Sequence, residues 1–139
     1  MASFNKFQPF VENLAEKVFN LGSDTLKVLL TNTAPSASNG QKSDLTEISA
    51  GNGYTAGGTA ATISSSSQSS GTYKLVLADV TFTASGGPIG ALRYAVLYDD
   101  TAASDQLIGY WDYGSSITLA DGETLTVDFD GTAGVLTIA

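Results

Sequence analysis

The sequence predicts a mainly β fold, an antiparallel β-sandwich or small barrel of about seven or eight short strands with one amphipathic helix at the N-terminus. Three observations predict it. Short runs of Val, Leu, Ile, Phe and Tyr alternate with polar residues along most of the chain. Gly, Asp, Ser and Pro recur between those runs as turn signals. Only residues 7–21 repeat apolar side chains at steps of three and four. A chain of 139 residues suits one structural domain, read here as an arm and helix over 1–22 followed by a β-domain over 23–139.

In the helical segment Phe7, Val11, Leu14, Val18 and Leu21 share one face. Pro9 suits the first turn, where a missing N–H costs nothing, and Gly22 is placed to end the helix as a left-handed cap. The next run, 25–31, alternates as a strand with Leu26, Val28 and Leu30 inward. Residues 32–40 read as loop around Pro35, and the glycines of 51–58 predict a tightly turning loop. The serine run 64–70 predicts a solvated hairpin connection or extended edge, because serine satisfies backbone groups locally.

Beyond the serine run the strand signals sharpen. Residues 73–78 and 79–83 form one or two strands ended by Ser85, Gly86, Gly87 and Pro88. Residues 92–98 follow, with Leu92, Tyr94, Val96 and Tyr98 on one face and Arg93, Ala95 and Leu97 on the other. An acidic turn over 99–105 precedes the aromatic strand 106–113. Ile117 to Leu119 leads into Asp121 and Gly122, a dipeptide suited to a tight hairpin. Leu125, Val127 and Phe129 then alternate with Thr126, Asp128 and Asp130, and 135–138 closes the chain as a last strand.

Charge and composition exclude several function classes. Fourteen acidic against six basic residues give a net charge of −8, and the cations are scattered, so neither nucleic acid nor an anionic membrane surface is an expected partner. No apolar stretch reaches the roughly 20 residues of a membrane-spanning helix, and no basic, apolar leader opens the chain, so cytosolic synthesis without export is expected. The sequence contains no histidine and no cysteine, which removes the commonest general base, thiol nucleophiles and thiolate metal sites. Paired carboxylates, Asp99 with Asp100 or Asp112 beside Tyr110 and Trp111, lack any feature fixing a glycosidase separation. Asp99, Asp100 and Asp105 do not follow the twelve-residue calcium-loop order, and the glycine-rich 51–58 lacks the Lys-Ser/Thr ending of a phosphate loop. The expectation is a non-enzyme, with no catalytic, cofactor-binding or metal-ligating residue assigned.

Several phrases together resemble small virion proteins of tailed bacteriophages. They are Phe4, Asn5, Lys6 and Phe7 with the helix, DTLKVLLTNTAP over 24–35, NGYTAGG over 52–58, GTYKL over 71–75, RYAVLY over 93–98, WDYG over 111–114, and the ending 121–139. The resemblance runs over most of the chain and implies a structural component present in many copies, most like a capsid decoration or cement protein. It implies as partners the major capsid protein and other copies of this chain, with a trimer suited to local threefold positions, and a location on the capsid surface. Many copies let modest contacts add up to strong retention.

Aromatic side chains concentrate binding energy at interfaces. Phe4, Phe7, Phe10 and Phe19 are therefore the first expected partner-binding residues, and Tyr110, Trp111 and Tyr113 the second. Two other readings stay open. One is a receptor- or glycan-binding module of a tail or fibre that stacks sugar rings on Tyr110 and Trp111; the other is a tail-tube or baseplate component.

Overall fold

The computed structural model describes residues 2–139 and shows a mainly β protein with one α-helix near its N-terminus. In chain order the elements are β1 (Asn5–Lys6), α1 (Gln8–Ala15), β2 (Leu26–Thr31), a single 3₁₀ turn (Lys42–Asp44), β3 (Thr59–Ala61), β4 (Ile63–Ser69) and β5 (Thr72–Leu77). Then follow β6 (Val80–Thr83), β7 (Ile89–Asp99), β8 (Leu107–Leu119), β9 (Thr124–Val127) and β10 (Leu136–Ile138). The strands pair antiparallel in three sheets, ordered β1-β8-β7-β2-β3, β10-β5-β4 and β6-β9.

The central strands of the larger sheet are buried on both faces. Leu26, Val28 and Leu30 of β2 point with Leu97 and Ile108 into the main core, where Leu75 and Leu77 of β5 and Val80 and Phe82 of β6 meet them from the smaller sheets. That stacking makes the β-sandwich. On the opposite face Leu29, Val96, Tyr98 and Leu107 form a second, smaller core closed by Phe7, with Leu45 and Tyr110 against it. Leu29 thus breaks the one-face-in reading of β2: a central strand covered on both sides needs apolar residues at every position.

The helix is shorter than its periodicity suggests. Lys17 takes a left-handed conformation at φ 68°, and the bonds from Lys17 N–H to Leu14 O and from Val18 N–H to Asn13 O close the helix as a Schellman motif. Gly22, expected to be the cap, sits in the next turn instead. Within the helix Phe10 rather than Val11 takes the buried position: Val11, placed on the apolar stripe by spacing, is 52% exposed, while Phe10 and Phe19 pack together at 5.3 Å in the core. Pro9 does occupy the first turn. The arm joins the β-domain through the pairing of Asn5 with Tyr110 and Lys6 with Gly109.

Two further expectations are corrected. Register slips between Gly90 and Leu92 and between Leu92 and Tyr94 turn Leu92 away from Val96 and Tyr98 and into the main core. Asp121 and Gly122 do form a tight turn, with Glu123 N–H bonded to Ala120 O, but the strands it joins are not a hairpin. Gly122 N–H bonds Ala84 O, and Ala84 N–H bonds Glu123 O, so the turn carries the chain from β8 across to β9, which pairs β6. The serine run becomes β4, an edge strand, joined to β5 by a turn in which Ser70 and Gly71 take φ 50° and 84°.

Candidate functional site

A cleft of about 380 Å³ opens between the outer part of the β7–β8 pair and β9. Its walls carry Leu92, Ala95, Trp111 and Tyr113 on one side and Leu125 and Val127 on the other. The wall is mostly apolar because the β6–β9 pair is only four residues long and leaves the far end of β7 and β8 partly uncovered. Tyr113 stands at the mouth, 57% exposed.

Arg93 and Asp112 fix the adjoining rim. The guanidinium donates from Nε to Asp112 Oδ1 at 2.8 Å and from Nη2 to Oδ2 at 3.1 Å. This fork and the Gly114 N–H, 2.8 Å from Oδ1, hold the Asp112 carboxyl below the usual carboxylate range. The Arg93 guanidinium also lies 5.4 Å from the centre of the Tyr94 ring. The two charged groups are thus paired with each other along the rim.

The aromatic residues singled out in the sequence part company here. Tyr110 faces the smaller core and packs on Phe7 at 5.2 Å and edge-on to Tyr94 at 6.4 Å. Trp111 lines the cleft and is held by Phe4, tilted against it at 5.3 Å, and by Phe129, edge-on at 5.5 Å, so its ring is tied into the surrounding packing. Tyr113 alone of the three is exposed. Of the proposed N-terminal anchor, Phe7 is 0% exposed and Phe10 and Phe19 are buried, which makes them core residues and corrects their assignment to a docking surface. Phe4 is half-buried against Trp111.

Sequence reasoning missed Leu125 and Val127 as cleft walls. Their alternation signals an inward face, and they are indeed half-buried, but nothing local tells how far β6 and β9 extend over β7 and β8. The glycine-rich 51–58 loop is fixed by Glu47, to which Tyr54 O–H and Gly57 N–H both donate, each at 2.6 Å. Among the described residues no three His, Cys, Asp or Glu side chains gather as a metal site, and no helix is long and apolar enough to cross a membrane. No family model matches the chain, and neither the curated proteins nor the solved structures compared with it give a match.

Proposed function

We propose that the chain is a virion structural protein that binds the outside of a tailed-phage capsid as a decoration or cement protein, stabilising the shell by non-covalent contacts with the major capsid protein and with its own copies. The observation that carries this reading is Tyr113. It belongs to the WDYG phrase through which the sequence resembles phage virion proteins, and it stands exposed at the mouth of an apolar cleft whose rim is braced by the Arg93/Asp112 pair. An exposed aromatic beside half-buried apolar walls is the surface chemistry of a protein–protein contact. The packing of Trp111 against Phe4 and Phe129 favours a structural role for this ring over the glycan-stacking alternative.

Each copy on a shell needs only a small contact, because many linked copies retain one another. Quantitative mass spectrometry of purified particles tests the reading by comparing this chain with the major capsid protein. On the order of hundreds of copies per particle is expected for a shell component repeated over its lattice. A few to a few dozen copies would move the chain to the tail or fibre, and complete absence from particles would remove the virion reading.

A further inference from the structure

Asp99, the last residue of β7, is 0% exposed and takes part in no ion pair among the described residues. Its Oδ1 accepts the N–H groups of Thr101 and Ala102 at 2.9 and 3.1 Å, fixing the turn that follows β7. Its Oδ2 has no donor at all among those residues. The group against it is another carboxyl, that of Asp24, whose Oδ2 accepts Asn20 N–H at 2.8 Å and so fixes the turn before β2. Two carboxylates only repel; a carboxyl and a carboxylate share a strong hydrogen bond.

Among the described residues neither Asp24 nor Asp99 has a cation within ion-pair distance. Lys27 on β2 is 3.1 Å from Asp100 and is committed to it. Asp105 lies further along the same loop, and Lys17 and Tyr73 stand with Asp24 on the walls of a neighbouring cleft of about 550 Å³. Backbone bonds sew the two turns together: Asp100 N–H reaches Thr25 O at 2.8 Å, and Thr25 N–H reaches Thr101 Oγ1 at 2.8 Å. Asp24, Thr101 and Ala102 also form part of that cleft's wall, opposite the apolar Leu14, Val18 and Ile138.

We infer that Asp24 and Asp99 form a proton-operated clamp: with one proton shared between them the 20–25 turn is locked onto the 99–102 turn, and loss of that proton releases the two turns and reshapes the cleft they border. Burial, followed by the Asp24 carboxyl, pushes the Asp99 carboxyl up to about 7, against the lowering effect of the two N–H donors. The closed form therefore binds the proton more tightly than the open form, in which the carboxyl returns toward its ordinary value of 3.8. Closure is complete below that value, weakens as pH rises between the two, and is weakest above about 7.

Amide hydrogen exchange on the full chain tests this, corrected for the intrinsic pH dependence of exchange. Between pH 5 and 7 the opening of the Asn20, Thr25, Asp100, Thr101 and Ala102 amides should grow by up to about tenfold per pH unit and then level off. Core amides such as Ile108 should show no such slope. Asp99→Asn keeps the Oδ1 acceptor and gives Asp24 a permanent donor, so it should flatten the profile in the closed state. Asp24→Asn, which keeps an acceptor for Asn20, should flatten it too and serves if Asp99→Asn fails to fold. Carbon-13 titration of the wild-type carboxyls should show Asp99 changing near neutrality. A slope that survives both variants, a slope shared by the whole sheet, or an Asp99 carboxyl titrating near its ordinary value would overturn the clamp. So would restoration of the closed turns at pH 8 by millimolar calcium chloride, which would make the pair a metal site.

Discussion

The phenolic oxygen of Tyr54 accepts the backbone N–H of Leu30 at 3.1 Å, taking the place of a strand partner. β3 pairs β2 only at Leu26, Lys27 and Val28, so the free edge of β2 would otherwise leave Leu30 unbonded in a buried position. Ile48 N–H completes the repair by reaching Leu30 O at 3.1 Å. Tyr54 passes its own O–H to Glu47 Oε1 at 2.6 Å, and burial together with that bond raises its ionisation well above the ordinary tyrosine value. The glycine-rich loop thus closes a sheet edge with side-chain chemistry.

Removing this oxygen tests that account. Tyr54→Phe keeps the ring against Phe82, 5.9 Å away, but strips the acceptor from Leu30 N–H and the donor from Glu47. The expected loss is about 1–3 kcal/mol, read as a lower urea midpoint at unchanged slope. An unchanged midpoint would show that the edge bond contributes nothing net.

Gly58 allows the same loop to reach β2. It adopts φ +80°, and a Cβ there would stand 1.8 Å from Val28 O, an impossible contact. Gly58→Ala should cost about 3 kcal/mol or more. Gly122→Ala is the control: φ is +87° but nothing lies within 4 Å of the added carbon, so only the left-handed conformation of about 1–2 kcal/mol is charged. Equal losses in the two variants would contradict the steric account.

How much of this was legible depended on whether the cause lay nearby in the chain. The mainly β fold, the loops around Pro35 and Gly53, the edge character of the serine run and the alternation through Leu125 and Val127 all follow from local patterns. The early end of the helix does not, because Lys17 carries no stop signal; the left-handed turn is stabilised by burying Phe19 and Leu21. The four N-terminal phenylalanines read from the sequence as a partner-binding surface, whereas three of them serve two separate cores. Asp99 beside Asp100 reads as an ordinary solvated turn, and only the distant Asp24 and the surrounding packing reveal one of the two as buried.

Phe7 carries the clearest consequence of that correction. It closes the smaller core and stacks on Tyr110, so Phe7→Ala should lose about 3–5 kcal/mol of stability. Thermal melting of the purified variant checks this. A variant that melts with the wild type yet fails to bind particles would return Phe7 to the role of anchor.

Tyrosine ionisation offers a further check. Burial raises Tyr54 and Tyr98; the Glu47 hydrogen bond adds to the first, and the negative charges of Asp100, Asp105 and Glu47 add to the second. Tyr98 also donates its O–H to Gly57 O at 2.5 Å. Because both phenols stay protonated in the fold and ionise near 10 when unfolded, stability should fall as pH rises above that value. In an alkaline absorbance titration their ionisation should appear only together with the loss of the far-ultraviolet β signal. Full tyrosine ionisation with the β signal intact would contradict their burial.

Tyr113 separates the surface from the core. With 57% of its surface exposed and no hydrogen bond from its hydroxyl among the described residues, it can be removed with little effect on the fold. Tyr113→Ser should change stability by less than about 0.5 kcal/mol. If the cleft is the docking surface, the variant should occupy particles at lower copy number than the wild type in a mixed reconstitution, because an interface anchor typically carries about 2 kcal/mol or more. Trp111→Ala is the contrasting case: its loss uncouples Phe4 from Phe129 and should lower stability by about 3 kcal/mol or more before any binding is measured. Equal particle occupancy by Tyr113→Ser and wild type would move the contact away from this cleft, while a normal melt for Trp111→Ala would show that the Phe4, Trp111 and Phe129 cluster adds nothing to the core.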